Sequence, residues 1–547
     1  MQEKLNRRAC LRRLAAGAGG IAVGVAALRR QAAWAQATPG TASARATAEV
    51  LLDEPIRDAS GQPAVINPNL HGHFVEHIGG VVYDGIWVGP ESPIPNIDGI
   101  RRSMVESLRK LRPPVMRWPG GCFADRYHWR DGIGPRESRP RRFGRWNEVT
   151  ESNHFGTDEF MRFCRLTGAE PYFCANVGTG TAEEFQQWVE YCNAPAGRLS
   201  VGDERVANGH PEPFGVRYWA VGNENWGCGG SFTPEDYCTE YRRFVTWLPS
   251  FGVPWVLIGC GPSGNDLDWT RRFLKKWRDG ASTPMHAWAA HYYCGTSGTA
   301  TEFNTDQWYD LLDRANRMDK LVVDQWGAMG EFDPRHEVKL IIDEWGTWHP
   351  ADARLRPEFQ FAQYSTMRDA LVAALTLDTF HRHADKVVMG NIAQLVNCLQ
   401  SLYMTDGDRM VETTIYHVFA MYQAHHQGIA VPLRLETPTC SFSREGGQAE
   451  LFRVAGSASR REREVTVTLV HTHHHEPIEI DLRLREGRVA EVSGTVLAHE
   501  RLNALNDFDH PRAVVPRPLA VPAPQADGRL VLTLPPAAVV GLQLTLA

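Results

Sequence analysis

Eight short apolar segments, each followed by a helical pattern, constrain the fold of this chain more than any other feature. The candidate strands are His71–His77, Val115–Trp118, Pro171–Asn176, Val216–Asn223, Trp255–Cys260, Ala287–Tyr293, Leu340–Trp345 and Lys386–Ile392. The helical patterns include Ser103–Leu111, Thr157–Thr167, Ala182–Cys192, Pro234–Phe251, Asp268–Lys276, Trp308–Met318 and Phe359–Arg382. Because strands that alternate with helices form parallel sheets, this order predicts an α/β fold, a (β/α)8 TIM barrel over residues 67–424.

The segment after the barrel has a different pattern. Its candidate strands alternate apolar and polar residues and are separated by turn residues; they are Glu464–Leu469, Ile478–Leu484, Glu491–Leu497 and Leu530–Leu534. Alternation with a period of two is typical of antiparallel sheets. We therefore predict a C-terminal antiparallel β-sandwich, jelly-roll-like, over residues 425–547. Residues 49–66 are strand-like and lack a helix of their own, so we expect them to join this sandwich.

The first 37 residues resemble a twin-arginine-type signal peptide rather than a part of the fold. In order, they contain an arginine pair, a short apolar run and a small-x-small cleavage site: Arg7-Arg8, Leu14 to Leu28 and Ala35-Gln36-Ala37. The apolar run is short for a membrane span, and an uncleaved amphipathic anchor is the alternative. We therefore expect an exported protein, periplasmic or secreted, with a linker at residues 38–48.

Composition excludes some functions but does not select one. The net charge of −6 gives no electrostatic reason to expect a nucleic acid partner, and no other segment is a membrane-span candidate. The cysteines are scattered, with no CxxC pair and no metal-ligand spacing, so we interpret them as small buried apolar residues rather than as a disulfide framework. Seventeen Trp and 14 Tyr suit a carbohydrate site, and they suit a large barrel core equally well.

Polar residues stand at the carboxyl ends of nearly all the predicted strands, which is where barrel enzymes place their working residues. They are Glu76, Arg117, Asn176, Asn223, Glu224, His291, Tyr293, Asp343, Glu344 and Gln394. Glu224 ends the fourth strand and Glu344 ends the seventh, so we expect them to face each other across the barrel mouth. Buried acids are costly unless they are paired or functional, and a structural ion pair is the alternative reading. Two facing carboxylates suit retaining glycoside hydrolysis, in which one protonates the leaving oxygen and the other attacks the anomeric carbon.

A set of longer motifs contains these residues in a fixed order along the chain. It comprises His71-Gly72-His73-Phe74-Val75-Glu76-His77, Arg117-Trp118-Pro119-Gly120-Gly121-Cys122-Phe123-Ala124-Asp125, Asn153-His154-Phe155-Gly156-Thr157-Asp158-Glu159-Phe160, Gly222-Asn223-Glu224-Asn225-Trp226-Gly227, His291-Tyr292-Tyr293, Asp343-Glu344-Trp345-Gly346, Asn391-Ile392-Ala393-Gln394-Leu395-Val396-Asn397 and Asn506-Asp507-Phe508-Asp509-His510-Pro511. The set resembles glycoside hydrolase family 51, the α-L-arabinofuranosidases. The resemblance covers essentially the whole mature chain.

The resemblance implies a role for each polar residue at the barrel mouth. Glu224 would be the general acid/base, protonated while Glu344, the nucleophile, is ionised. The implied substrate-binding residues are Glu76, Arg117, Cys122, Asn223, His291, Tyr293 and Gln394. Among them, Arg117 and Tyr293 would keep the nucleophile charged and oriented, and Asn223 would bond the sugar 2-hydroxyl. Glu76 and Gln394 would hold other hydroxyls, His291 would support the acid/base, and Cys122 stands where some relatives carry Asn.

The expected activity is therefore exo-acting removal of terminal non-reducing α-L-arabinofuranosyl residues from arabinose-containing polysaccharides and oligosaccharides, with no metal or other cofactor. The alternatives are another retaining glycosidase of the same clan, such as an endo-glucanase or β-xylosidase, and a non-catalytic carbohydrate-binding barrel. The resemblance also implies a homo-oligomer, often a hexamer. We interpret the basic run Arg136 to Arg145 as a loop packed against acids or a subunit interface, and the cluster His471 to His475 as a solvated hairpin.

Overall fold

The computed structural model describes residues 44–144, 146, 149–280 and 283–547. The predicted signal peptide lies outside the described residues. Residues 44–48, which we expected to belong to a linker, are part of the strand Ala44–Leu51. Ala46, Ala48 and Val50 alternate with more exposed neighbours and are buried, so the period of two extends further back than the strand-like sequence suggested.

Eight parallel strands close into a barrel, which confirms the predicted fold. In chain order they are β1 Gly72–Phe74, β2 Val115–Trp118, β3 Glu170–Ala175, β4 Tyr218–Val221, β5 Val256–Ser263, β6 Ala287–Gly295, β7 Lys339–Thr347 and β8 Val387–Ile392. The ring closes where Asn391 of β8 pairs with Gly72 of β1. Buried side chains such as Ile258, Ile341 and Met389 pack together inside the barrel, so its interior is a core rather than a pore.

Helices surround the barrel and connect its strands. Among the described residues they are Arg102–Leu111, Thr157–Thr167, Ala182–Asn193, Ser200–Ala207, Pro234–Val245, Leu267–Arg278, Thr305–Gly330, Met367–Arg382 and Thr414–Tyr422. Side-chain caps fix several starts; the hydroxyl of Thr233, for example, accepts from the backbone N–H of Asp236. Thr305–Gly330 runs past its predicted end at Met318 because its buried face continues through Met329. Thr414–Tyr422 was not predicted, since a helix buried along most of its length lacks amphipathic periodicity.

The C-terminal sheet domain that we predicted is also present, as two sheets that share one apolar core. The four-stranded sheet has the order Leu433–Glu436, Ala44–Leu51, Ile478–Arg485 and Leu530–Leu534. The six-stranded sheet has the order Ile429–Val431, Val454–Arg461, Glu464–His471, Ala538–Leu546, Val489–Leu497 and Arg517–Leu519. Short hairpins pair Asn96–Ile97 with Ile100–Arg101, Arg142–Phe143 with Thr150–Glu151, Tyr403–Asp406 with Arg409–Glu412, and Thr439–Arg444 with Gly447–Phe452.

A group of buried histidines lies where the base of the barrel meets the six-stranded sheet. His71 Nε2 lies 2.9 Å from His381 Nε2, and His71 Nδ1 lies 2.8 Å from His426 Nε2. His425 contacts the hydroxyls of Ser459 and Thr468. Burial lowers the pKa of His425 to about 3 and that of His426 to about 4, so these rings are neutral at pH 7.

In the described part of the chain, no helix combines the length and the apolar character that a membrane crossing requires.

Candidate active site

Glu224 and Glu344 lie together at the mouth of the barrel. Glu224 follows β4 and Glu344 lies in β7. An oxygen of one carboxylate lies within 4.8 Å of an oxygen of the other. This spacing fits retaining glycosidases, whose carboxyls are about 5–5.5 Å apart.

The backbone of Glu224 is held in an uncommon conformation. Its φ is +41°, a left-handed value that costs a non-glycine residue of order 1–3 kcal/mol. The turn that imposes this value is closed by backbone hydrogen bonds from Gly227 and Gly229 to the carbonyl of Glu224, at 2.7 and 3.1 Å. This turn carries the Glu224 side chain into the mouth rather than back along the barrel wall.

Glu344 is held by a cation on one oxygen and a hydroxyl on the other. Arg117 of β2 donates to its Oε2 at 2.9 Å, and Tyr293 of β6 donates to its Oε1 at 2.7 Å. Glu344 is 7% exposed, so these contacts act where solvent screening is weak. The glycine at position 121 leaves room for this carboxylate, since an added Cβ there would lie only 3.1 Å from Glu344 Oε2. The arrangement fixes the orientation of the Glu344 carboxylate and aims it into the mouth.

His291 of β6 bridges the two carboxylates. Its Nδ1 lies 3.0 Å from Glu224 Oε1 and 3.4 Å from Glu344 Oε2, and its Nε2 lies 3.1 Å from Asp343 Oδ1. Burial lowers the pKa of His291, but Glu344 and Asp343 more than offset this and raise it to about 10. A pKa this far above 7 favours the imidazolium form, which pairs with Glu224 through Nδ1 and with Asp343 through Nε2.

Asp343 is a site residue that the sequence analysis did not assign. Its carboxylate accepts from Tyr172 at 2.7 Å and pairs with Arg117 Nε at 3.3 Å and with His291. Burial raises the pKa of Asp343, but Arg117 and His291 outweigh it and lower the pKa to about 2. A second acid directly before Glu344 was the available signal. Asp343 stood among the polar residues at the predicted strand ends, but no role was assigned to it.

Asn223, Glu76 and Gln394 are brought to the same mouth. Asn223 Oδ1 accepts from Arg117 Nη2 at 2.6 Å, which fixes the amide so that its NH2 group remains to donate. Glu76 Oε1 accepts from the backbone of the β2 loop, and its Oε2 accepts from Gln394 at 3.2 Å. Burial and the Glu344 charge raise the pKa of Glu76 to about 7. All nine residues predicted for the site therefore lie in one cluster or contact it.

Cys122 differs from the expectation because it is not a free thiol. It forms a disulfide with Cys228, 106 residues later, so the prediction that the cysteines are all small buried apolar residues is wrong for this pair. The other cysteines among the described residues are buried free thiols, as expected. Cys122 carries no S–H to bond a sugar hydroxyl, so any contact that it makes with a sugar is steric. The pairing was hidden because the two loops become neighbours only when the barrel closes.

A cavity of about 400 Å³ opens over the two carboxylates. Besides the site residues it is lined by Ile78, Trp146, Trp226, Ser263, Gly264, Tyr292, Trp348, Phe361 and Leu399. Trp348 is 37% exposed and packs edge-on against Tyr293 with ring centroids 4.9 Å apart. Trp345 is buried against Phe380, so only the first of these two tryptophans is available to contact a sugar.

Donor atoms of Glu224, His291 and Glu344 lie within 4.8 Å of one another, close enough to surround a cation. A metal-bound histidine must offer a lone pair, and an imidazolium has none. The raised pKa of His291 and its contacts with three carboxylates therefore fit a proton-donating bridge better than a metal ligand.

The described part of the basic run packs against acids beside the barrel. Arg136 and Arg139 both pair with Glu159, at 2.9 and 3.0 Å. Arg142 pairs with Asp131 at 2.7 Å. These arginines are therefore occupied within the chain, as the packed-loop interpretation predicts.

The histidine cluster of the C-terminal domain caps its own turn. His473 Nδ1 accepts from the backbone N–H of Glu476 at 2.9 Å, so the ring proton sits on Nε2. His474 Nδ1 lies 2.9 Å from the Tyr309 hydroxyl, and its Nε2 lies 2.8 Å from His475 Nδ1. Ring nitrogens of all three lie within 4.8 Å of one another, but their hydrogen bonds already use the lone pairs that a metal would need. The segment connects Glu464–His471 of the six-stranded sheet with Ile478–Arg485 of the four-stranded sheet, and His471 and His473 are buried, so the prediction of a solvated hairpin is wrong. A hydrogen-bonded connection between the two sheets describes this cluster better than a metal site.

Comparison with known proteins gives a consistent relationship. The family model for the α-L-arabinofuranosidase 1 domain matches residues 107–310, and that for the α-L-arabinofuranosidase C-terminal domain matches residues 343–538. An intracellular exo-α-L-arabinofuranosidase of Bacteroides ovatus is 36% identical over 462 residues, which cover 83% of this chain and 88% of the relative. The GH51 arabinofuranosidase structure from Xanthomonas axonopodis pv. citri superposes with a TM-score of 0.86 at 36% identity, covering 92% of this chain and all of that one.

The α-L-arabinofuranosidase of Thermotoga maritima, solved as an arabinose complex, matches at 26% identity with a TM-score of 0.79, over 91% of this chain and all of that one. A bifunctional glucanase-xylanase from a metagenome library matches at 12% identity and shares the fold alone. The Bacteroides relative also corrects one expectation. Its name describes an intracellular enzyme, which contradicts the prediction that the present chain is exported.

Proposed function

Because this chain belongs to the α-L-arabinofuranosidases of glycoside hydrolase family 51, we propose that Glu344 is its nucleophile and Glu224 its general acid/base. The chain is an exo-acting α-L-arabinofuranosidase, and the retaining mechanism is typical of its family. The observation that carries the proposed roles is the clamp on Glu344. Arg117 and Tyr293 donate to separate oxygens of this carboxylate, while Glu224 stands across the mouth without a guanidinium partner among the described residues.

In the first step Glu344 attacks the anomeric carbon of the terminal arabinofuranosyl residue while Glu224 gives its proton to the departing oxygen. Positive charge develops on the sugar ring, and the negative carboxylate close to it stabilises that charge. Tyr293 and Arg117 fix the direction of attack. The product of this step is an arabinosyl ester of Glu344 and a free aglycone alcohol.

In the second step Glu224, now ionised, takes a proton from a water molecule that attacks the same carbon. The ester bond to Glu344 breaks and arabinose leaves with its original anomeric configuration. His291 Nδ1 lies 3.0 Å from Glu224 Oε1 and would hold this carboxyl group in place in both of its roles.

The remaining residues would select the sugar. Asn223 Nδ2 contacts Cys228 Sγ at 3.8 Å and has a second N–H that can donate to the 2-hydroxyl, a contact that strengthens in the transition state. Glu76 and Gln394 form one hydrogen-bonded pair that can accept from and donate to other hydroxyls. A lined cavity of about 400 Å³ accommodates one terminal sugar, which supports exo action over endo cleavage of a glucan. We propose arabinose-decorated hemicellulose and its oligosaccharides as natural substrates, and a homo-oligomeric assembly as in the family.

The test is release of 4-nitrophenol from its α-L-arabinofuranoside by the wild type, Glu344→Ala and Glu224→Ala. We expect strong wild-type turnover, loss of turnover in Glu344→Ala, and recovery of Glu224→Ala by azide, which attacks the sugar ester without needing a base. A wild type that ignores this substrate but cleaves a xyloside or glucan would overturn the arabinose specificity and leave the two roles intact. If both variants equal the wild type, the assigned roles are wrong.

A further inference from the structure

The carboxylate of Glu224 is contacted by two different groups, one on each oxygen. Oε1 lies 3.0 Å from His291 Nδ1. Oε2 lies 3.8 Å from Cys122 Sγ and 3.6 Å from Cys228 Sγ. The disulfide is therefore in van der Waals contact with the oxygen that is not bonded to His291, and Cys122 also lines the substrate cavity.

The same disulfide joins the two loops on which the site depends. Cys122 belongs to the β2 loop, whose backbone N–H groups at Gly121 and Phe123 bond Glu76. Cys228 belongs to the turn that carries Glu224 at its left-handed φ. Asn223 Nδ2, the proposed donor to the sugar, lies 3.8 Å from Cys228 Sγ. One covalent bond thus spans the acid/base turn and the sugar-binding loop.

We propose that the Cys122–Cys228 disulfide is a positioning element for the acid/base Glu224 and a thiol–disulfide exchange site through which a dithiol lowers activity. This inference rests on the proposed role of Glu224. The sulfur atoms that face Oε2 carry no hydrogens. They therefore cannot donate a hydrogen bond to this oxygen while Glu224 is protonated. It also restrains the turn so that the proton points at the departing oxygen.

Exchange would proceed by the usual two displacements. A thiolate of the dithiol attacks one sulfur and the Cys122–Cys228 bond breaks, giving a mixed disulfide and one free cysteine thiolate. The second thiolate of the reagent then attacks the reagent's own sulfur in the mixed disulfide. The reagent leaves as a cyclic disulfide, and the second cysteine thiolate is released. Two electrons and two protons pass from the dithiol to the protein, which ends with two cysteine thiols.

The reduced state differs from the oxidised state in two ways that both act on Glu224. Two S–H groups face Oε2, and a hydrogen bond to a carboxylate favours its ionised form over the protonated form that acid catalysis needs. The turn also loses its tether to the β2 loop. Its own hydrogen bonds, such as that from Asn225 Nδ2 to the Gly229 carbonyl at 2.8 Å, remain. Reduction should therefore misplace the acid/base without unfolding the barrel.

Leaving-group dependence separates this role from a general structural one. The dinitrophenolate of a 2,4-dinitrophenyl arabinoside departs without being protonated. The alcohol released from arabinobiose must receive a proton as it departs. We expect reduction by dithiothreitol, or Cys122→Ser/Cys228→Ser, to lower kcat/KM for arabinobiose at least ~10-fold, part of the ~10²–10⁴ that acid/base catalysis supplies. For the dinitrophenyl substrate the same changes should cost less than ~3-fold. A role confined to folding would lower both values equally.

The controls use the protein's other cysteines. Cys440→Ser removes a buried free thiol of the C-terminal domain and should leave kcat/KM and its response to dithiothreitol unchanged. The double variant should not respond to dithiothreitol. Thiol titration of the denatured protein should find two more thiols after reduction than before it, those of Cys122 and Cys228.

The outcomes distinguish the positioning role of the disulfide from the proposed function of the site. If the wild type is active and azide rescues Glu224→Ala, but neither reduction nor the double variant changes the ratio of the two kcat/KM values, the positioning role is wrong and the proposed function stands. A thiol count that does not rise on reduction would also overturn the inference. If azide fails to rescue Glu224→Ala, the assignment of Glu224 fails first and the inference with it.

Discussion

The imidazolium of His291 donates from Nδ1 to Glu224 Oε1 at 3.0 Å. Among the described residues, this Nδ1 is the only ring nitrogen bonded to the Glu224 carboxylate. Its charge is supported by Glu344 and Asp343, which overcome burial and raise its pKa to about 10. A positive charge that persists across the neutral range therefore stands between the acid/base and the nucleophile.

Replacing His291 by Asn should slow the enzyme without unfolding it. The amide retains a donor but loses the charge and changes the direction of the hydrogen bond to Glu224. We expect kcat/KM for 4-nitrophenyl α-L-arabinofuranoside to fall ~10–100-fold, the size of effect expected when a catalytic group moves by about 1 Å. Steady-state kinetics from pH 5 to 9 measure this. An unchanged kcat/KM would show that the bridge is dispensable.

The hydroxyl of Tyr293 should contribute mainly to the transition state. Tyr293→Phe removes a 2.7 Å hydrogen bond to Glu344, and bonds to charged groups are worth about 1.5–3 kcal/mol. We therefore expect a fall in kcat/KM of ~10–150-fold with little change in Tm. Tyr309→Phe, which alters a hydroxyl far from the barrel mouth, is the matched control and should keep full activity. Equal behaviour of the two variants would remove Tyr293 from the proposed mechanism.

The two neighbouring tryptophans of β7 and its loop should respond differently to truncation. Trp348→Ala opens the cavity wall and should raise KM while leaving Tm close to the wild-type value. Trp345→Ala leaves a void in the core and should cost about 3–5 kcal/mol of the free energy of unfolding. Thermal unfolding and KM, measured on both variants, check the pair. A reversed pattern would mean that the cavity wall is assigned to the wrong residue.

The buried histidines at the barrel base predict acid lability. An unfolded histidine titrates near pH 6.5, whereas burial lowers the folded pKa of His425 to about 3. The unfolded chain therefore binds the proton first. The stability contributed by the neutral ring is complete above pH 6.5 and falls by about 1.4 kcal/mol per pH unit below it, for each such histidine.

Measurement of Tm between pH 7.5 and 4.5 tests this expectation. His425→Asn keeps polar contacts with Ser459 and Thr468 but cannot titrate, so its Tm should be lower at pH 7.5 and decline less steeply toward pH 4.5. An identical slope in the variant and the wild type would attribute the acid sensitivity to other groups.

The barrel and its two carboxylates were predictable because strand periodicity is local. Each candidate strand was visible in four to eight residues, and Glu224 and Glu344 stood at strand ends. The Cys122–Cys228 disulfide was not predictable, since its partners come from different loops that only the closed barrel brings together. The sequence showed an acid at position 343, but not its ion pairs with Arg117 and His291, because these residues lie on other strands.

The sheet that unites the beginning and end of the fold has a consequence for synthesis. Thr47 pairs with Glu436, 389 residues later, and its strand also lies parallel to Ile478–Arg485. At ~5–20 residues per second, the ribosome needs roughly 20 to 80 s between making the first strand and its first partner. The nascent barrel must form with that apolar strand still unpaired, so truncation within the C-terminal domain should expose an aggregation-prone edge at the opposite terminus of the chain.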